Sequence, residues 1–482
     1  MNQLSDAVHL PCVISTTLMN TRNLENRIGL APDGVRDSSP FLIVACDFQP
    51  SIEIGARRIT ACTFDLAAHG IPSIVVSAFG NVGPSMASMP ACVRPVWVPK
   101  REPVFLKKLA VAKRAIRRLF RSTVQQDGTL PPIAPPAQSI EPLVTSPSLL
   151  VRLAILIDVE KRWSFAAARR AYLEGRVHQP RAVMASGPPM SSLIAAAWVA
   201  RRLRIPLILD FRDPWVHKTP PKPAAKKSLE ARFAQFAERW TIRRAAIIFT
   251  ATAGIAQLLR VRYPPCAHKI FVVRNGFDGE VRPARTSTDH RLEILFAGEI
   301  YLGRNPMPFL EGIERLFRQP NVDASKVRVT FVGRFEESMG QVVRQWVRRH
   351  NLEHNVRMLA AVPYDDIVRM TADATVLLNL AQQASVMVPA KAYEHIASGR
   401  EVLLISERDT EVFQLFNDIS GVSCVESSDP AQLDANLADL YRRQVILGTS
   451  SPPSLEAVKP FSRRAQLEIF RSVLADRLGQ SA

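Results

Sequence analysis

The stretch from Arg181 to Phe211, RAVMASGPPMSSLIAAAWVARRLRIPLILDF, decides the fold. Its opening residues, 181–186, form a short apolar run of the kind a strand needs when both of its faces are covered. Gly187, Pro188 and Pro189 break that run, and residues 191–204 then space their apolar side chains at helical intervals. A second apolar run follows at 206–211. Strand, helix and strand in so short a span predict a crossover unit with parallel neighbours.

The same grammar extends in both directions. Upstream, strands are predicted at 41–48, 73–78 and 95–98, with a helix at 56–69 ending before Gly70. Downstream come a helix at 229–245 and strands at 246–250 and 269–273. After the turn-forming pair Asn275-Gly276, a second alternating series begins, with strands at 292–297, 327–332, 356–362, 374–380, 401–405 and 421–425. The expectation is an α/β protein of two doubly wound, Rossmann-like domains facing across a cleft, with ligands at the carboxyl ends of the strands. The boundaries read as an extension without sustained periodicity at 1–38, a first domain at 39–276, a second at 277–440 and a helical tail at 441–482. The first domain is interrupted at about 100–150 by a basic and then proline-rich insertion, and 463–478 has the pattern of a closing amphipathic helix.

A chain of 482 residues, 47% hydrophobic and 22% charged, suits two globular cores. It contains no run of about 20 apolar residues that would span a bilayer. The N-terminus has no basic region ahead of its apolar residues, so a cytoplasmic location is expected. Six cysteines, Cys12, Cys46, Cys62, Cys92, Cys266 and Cys424, are scattered without metal-ligand spacing and read as core residues. A net charge of +18 calls for an anionic partner. In residues 105–121, Phe105, Leu109, Ala112, Ile116, Leu119 and Phe120 share one helical face, while Lys107, Arg114, Arg118 and Arg121 lie largely opposite. That pattern fits peripheral contact with an anionic membrane, or equally a basic surface helix packed on its own domain. With 7% aromatic residues and no binding module, nucleic acid is not expected.

Chemistry concentrates at predicted strand ends. In 388–402, VPAKAYEHIASGREV, Lys391 and Glu394 lie three apart near a helix start and so share a face. A carboxylate there accepts hydrogen bonds from vicinal ribose hydroxyls, while the ammonium and the helix end favour a diphosphate; a plain surface ion pair is the alternative. In 296–306, FAGEIYLGRNP, Gly298 lets a backbone approach phosphate and Arg304 offers a guanidinium to it. Gly333 ends the next strand. In the first domain, Gly187 turns a strand into a helix that Ser191 or Ser192 is placed to cap, and Asp210, Arg212 and Asp213 follow the next strand. Gly55 and Arg57 stand after the first strand, in a loop or at a helix start.

These motifs resemble the GT-B glycosyltransferases, and among them glycosyltransferase family four, the group 1 glycosyltransferases, over about residues 41–405. The resemblance implies a hexosyltransferase that moves a sugar from a UDP- or GDP-linked donor to a saccharide or glycolipid acceptor hydroxyl, with retention. It implies donor binding by Gly298, Arg304, Gly333, Lys391 and Glu394, with Arg304 and Lys391 also catalytic. It places Gly55, Arg57, Gly187, Asp210, Arg212 and Asp213 on the acceptor side, and surface polysaccharide or glycolipid biosynthesis as the setting. No metal-ligand cluster is visible, so no metal or cofactor is expected beyond the nucleotide sugar. Three positions depart from the family: Glu299 stands where arginine is usual, Val386 where a second glutamate is usual, and Leu193 where relatives have histidine. A catalytically silent relative and a non-hydrolysing sugar-nucleotide epimerase share the architecture and stay open as alternatives.

Overall fold

The computed structural model describes residues 39–51, 54–78, 89–100, 159–216, 229–283, 290–301, 303–383 and 385–479. The 1–38 extension, the basic segment 105–121 and the proline-rich stretch lie outside the described residues.

Among the described residues, parallel strands form two sheets. The first has the order β3-β2-β1-β4-β5-β6-β7. Its strands are β1 (Phe41–Ala45), β2 (Ser73–Ala78), β3 (Val93–Val98), β4 (Ala182–Gly187), β5 (Leu207–Phe211), β6 (Ile247–Thr250) and β7 (Ile270–Val272). The second has the order β10-β9-β8-β11-β12-β13. It is built from β8 (Leu292–Ile300), β9 (Val327–Phe335), β10 (Val356–Ala360), β11 (Val376–Leu380), β12 (Glu401–Ser406) and β13 (Val422–Glu426). In each sheet the chain order reverses beside the first strand, between β1 and β4 and between β8 and β11, which makes both doubly wound. The strands are legible because they are buried on both faces: every residue of β1, β2, β5 and β12 is buried.

Helices cover the sheets: α1 (Ile54–Ala68), α2 (Val159–His178), α3 (Ser191–Leu203), α4 (Leu229–Arg244), α5 (Ala253–Arg262), α6 (Met307–Phe317), α7 (Glu337–Arg349) and α8 (Tyr364–Asp373). They continue with α9 (Ala390–Ile396), α10 (Glu411–Phe416), α11 (Pro430–Tyr441), α12 (Leu455–Val458) and α13 (Arg463–Leu478). The periodicity missed α2. Its buried residues include Trp163, Ala167, Ala168 and Ala171 together with Ser164 and Glu174, so the stripe is mostly alanine and polar residues, with little hydrophobic contrast. Trp163 fixes the helix by donating its indole N–H to the Val98 carbonyl at 3.0 Å.

Compactness divides the chain into two units that meet in sequence at Leu207 and Ile208. Packing by α13 explains why β6 and β7 cluster with the later chain. The Phe470 ring lies 5.0 Å from that of Phe249 on β6, and Arg477 sits 5.1 Å above the Phe271 ring on β7. At the start of that helix, the Gln466 amide oxygen accepts from Arg274 N at 2.6 Å. Among the described residues no cysteine forms a disulfide; Cys46, Cys62, Cys266 and Cys424 are buried, and Cys92 is half-buried. No helix among the described residues is long and apolar enough to cross a membrane.

Candidate active site

The second sheet opens at the ends of β8 and β9. Both strands run past their predicted limits because Gly298 pairs with Gly333, continuing the ladder to Ile300 and Phe335. Gly333 has φ +145°, and a Cβ there would lie 1.8 Å from the Gly298 carbonyl oxygen. Only glycine fits this rung, and the result is a stretch of bare backbone.

Lys391 stands in the first turn of α9, directly after Pro389. Burial of Ala392, Tyr393, His395 and Ile396 anchors the helix, leaving Lys391 and Glu394 partly open on it. Tyr393 supplies much of that anchor, its ring 5.7 Å from Phe416 and 6.1 Å from Phe461. The Lys391 ammonium then reaches back to β8. It donates to the Ala297 carbonyl at 3.3 Å, lies 4.1 Å above the Phe296 ring, and would be 2.7 Å from a Cβ on Gly298.

Arg304 belongs to the loop after β8, its guanidinium 5.2 Å above the Tyr301 ring. Gln382, after β11, holds that loop by donating to the Asn305 carbonyl at 2.8 Å. Burial pushes the Lys391 ammonium down to about 7, and the charge of Arg304 adds to the shift. Beneath it, burial and then Lys391 push His395 down to about 3, so that imidazole is neutral near pH 7. A cation over bare strand-end backbone with a second like charge beside it is relieved by an anion. Gly298, Gly333 and Lys391 thus come together, Arg304 stands near enough for its charge to act on Lys391, and Glu394 lies one turn along the same helix.

A second cluster carries no signal in sequence. Thr252 caps α5, its hydroxyl accepting from Ile255 N at 3.2 Å and donating to the Val386 carbonyl at 2.6 Å. The Glu411 carboxylate accepts from Ala253 N at 2.7 Å and from Gly254 N, and lies 3.4 Å from Arg274. Val386, the position at which relatives carry glutamate, is therefore tied to α5 through its backbone. Its Cβ leaves no room on Gly254, where an added Cβ would approach it to 2.8 Å. Glu411→Ala removes a charged acceptor from two helix-end amides and should cost about 1–2 kcal/mol in a urea titration, with Glu411→Gln recovering part of it. An unchanged midpoint in the alanine variant would show that water serves those amides equally well.

The first-sheet residues are placed individually. Gly187 closes β4, where a Cβ would meet Met190 Sδ at 3.0 Å and Leu193 Cγ at 3.2 Å. Capping by Ser191 or Ser192 is not observed: the N-cap is Met190, without a side-chain cap. The carbonyls of Pro189 and Met190 already accept from Ser192 N and Leu193 N at 3.0 and 3.1 Å, so both serines sit inside the first turn. Ser191 Oγ instead accepts from Ser164 Oγ at 2.7 Å. Gly55 and Arg57 lie in the first turn of α1, taking the helix-start alternative. Asp210 is buried within β5, and Arg212 and Asp213 are half-buried in the turn after it.

Residues 57–276 match the family model described as a Glycosyl transferase 4-like domain. Similar solved structures include HepE from Anabaena in complex with UDP, at 12% identity over 91% of this chain and 100% of that one, TM-score 0.56. Sucrose-phosphate synthase from Thermosynechococcus elongatus shares 12% identity over 91% of this chain and 100% of its own, TM-score 0.57. The lipopolysaccharide outer core galactosyltransferase WaaB in its apo form shares 11% over 91% and 99%, TM-score 0.54. No curated protein matches the sequence. Identities this low are a likeness of fold. The chain therefore has the fold of the GT-B glycosyltransferases, and residues 57–276 carry the matched domain.

Proposed function

We propose that this protein transfers a hexose from a UDP-linked donor to a hydroxyl of a saccharide or glycolipid, with retention and without a metal, in surface polysaccharide or glycolipid assembly. One observation carries the reading: the Lys391 ammonium lies against Gly298, one of two paired strand-end glycines, and is close enough to feel the Arg304 charge, the charge and close approach a diphosphate requires. UDP in the HepE structure favours uridine over guanosine as the base. Gly298 and Gly333 admit the diphosphate, Lys391 and Arg304 face its oxygens, and Glu394 accepts from the ribose hydroxyls.

In the transfer step the acceptor oxygen bonds to the anomeric carbon on the face from which the diphosphate departs. The bond from that carbon to the diphosphate oxygen breaks, and the acceptor proton passes to the departing oxygen. Lys391 and Arg304 stabilise the charge left on the nucleoside diphosphate, which is the work a divalent cation would otherwise do. Gly55, Arg57, Gly187, Asp210, Arg212 and Asp213 shape the acceptor side. Residues 105–121 add peripheral contact with an anionic membrane. A nucleotide binder without turnover is the second reading, favoured by Val386 standing where relatives carry glutamate.

A thermal-shift panel of nucleoside diphosphates and nucleotide sugars tests the first claim, because a ligand that binds only the folded chain raises its melting temperature. UDP and one UDP-sugar should stabilise by several degrees, unchanged by EDTA, and Glu394→Ala should reduce the shift. Stabilisation by GDP alone would overturn the choice of base, and none by any nucleotide would overturn the function. UDP release from the stabilising donor only when an acceptor is added separates transfer from silent binding.

A further inference from the structure

The outer face of α4 has a composition that an ordinary solvent-facing helix avoids. Arg232, Phe236, Arg239 and Arg243 follow one another at intervals of three or four residues and so form one stripe, all of them exposed. Phe233 is 60% exposed and Phe236 65% exposed, two phenyl rings one turn apart standing into solvent. Trp240 flanks the stripe, with the Arg244 guanidinium 4.5 Å above its ring. The one acid between Arg232 and Arg244 is Glu238, which turns inward. It is 1% exposed and accepts from the Tyr263 hydroxyl at 2.8 Å and from Val216 N at 3.2 Å. From Arg232 to Arg244 the outer face is therefore positive and apolar, its one acid turned inward. Beside it lies a hollow of about 760 Å³ that Arg232, Arg239 and Arg243 share with Arg262. Val261, 69% exposed, continues the apolar surface onto α5.

We infer that this face of α4 docks the protein on an anionic lipid bilayer, the phenyl rings entering the acyl boundary while the arginines engage headgroup phosphates. Charge complementarity selects the partner's sign, and the rings select a bilayer over a purely polar polyanion. A phenyl ring has no hydrogen bond to make at a polar surface but gains by leaving water. Guanidiniums on flexible stems beside it reach the phosphate level while their methylenes stay in the apolar layer. The surface uses none of residues 105–121 and none of the donor-site residues.

Co-sedimentation of the full chain with vesicles tests the assignment. Phosphatidylcholine vesicles containing a third phosphatidylglycerol should bind the protein at least tenfold more tightly than phosphatidylcholine alone. Phe233→Ser/Phe236→Ser and, separately, Arg232→Gln/Arg239→Gln/Arg243→Gln should each weaken that binding at least tenfold. These side chains are exposed, so unchanged circular dichroism and UDP-induced thermal shift will show that the variants fold. Full vesicle binding by both variants means that another segment, such as 105–121, carries the contact, and overturns the assignment. So does absence of binding by the parent chain, or loss of vesicle binding when stoichiometric single-stranded RNA is added.

Discussion

Gly333→Ala should yield a protein that loses about 3–5 kcal/mol of stability and no measurable nucleotide binding survives. The added methyl would stand 1.8 Å from the Gly298 carbonyl oxygen, far inside contact distance. The obstacle is backbone, and it cannot swing aside: β8 is an inner strand, paired with β9 on one side and β11 on the other. Two residues back, the Phe296 and Phe331 rings pack 5.8 Å apart and fix the strands from below. A φ of +145° adds strain that any L side chain would feel. Two comparisons isolate the cause. Gly298→Ala meets the Lys391 ammonium at 2.7 Å, the far end of a flexible side chain, so it should cost about 1 kcal/mol of stability while weakening nucleotide binding. Gly70→Ala has φ +74° and nothing within 4 Å, so it should cost about 1 kcal/mol from backbone strain and leave binding unchanged. Urea midpoints for the three variants measure this order. Unfolding of Gly333→Ala at the parent's midpoint would sink the account of a backbone-closed rung.

What sequence made visible, and what it hid, follows from the range of the forces involved. A strand buried on both faces needs an unbroken apolar run, so β1, β5 and β12 announce themselves locally. Helix α2 does not, because alanine carries little hydrophobic contrast, although Ala167 and Ala171 are wholly buried. Serines after a proline pair invite a capping assignment, yet the carbonyls of Pro189 and Met190 had already closed the first turn. The glycines of the donor site were legible as strand-end glycines, but their pairing is a contact between strands that no spacing within one strand encodes. The joint of Thr252, Val386 and Glu411 joins residues more than a hundred positions apart, and its members look ordinary in their own neighbourhoods. Lys391 shows both sides. Three residues before Glu394 at a helix start, its place already suited a diphosphate, with a surface ion pair as the alternative; that its ammonium reaches the Ala297 carbonyl under β8 is visible only in the fold.

That burial makes affinity for a nucleotide sugar pH-dependent in a definite direction. With the ammonium held down to about 7, the ligand-free site carries the Lys391 charge below that pH and loses it above. A bound diphosphate favours the charged form and raises the value again, so above pH 7 binding must take up a proton. A nucleotide sugar is the right probe, since its diphosphate has no proton to lose in this range, whereas the terminal phosphate of free UDP titrates near about 6. Affinity should be flat below pH 7 and fall by up to about tenfold per unit as pH rises from 7 toward the value in the complex. Calorimetry at pH 8 in two buffers of different ionisation enthalpy should find an uptake approaching one proton per ligand. Lys391→Met should abolish both the slope and the uptake and lower kcat/KM by about a thousandfold, the scale of losing a charge that acts on the leaving group. The same linkage acts on the empty protein with its own sign. The unfolded chain holds its proton up to the ordinary lysine value of 10.5, so it binds more protons than the folded one between about 7 and 10.5. Stability should therefore rise across that window in the parent, and rise less in Lys391→Met. A parent whose nucleotide-sugar affinity is the same at pH 6.5 and 8.5 would mean that the Lys391 ammonium is not where the diphosphate binds.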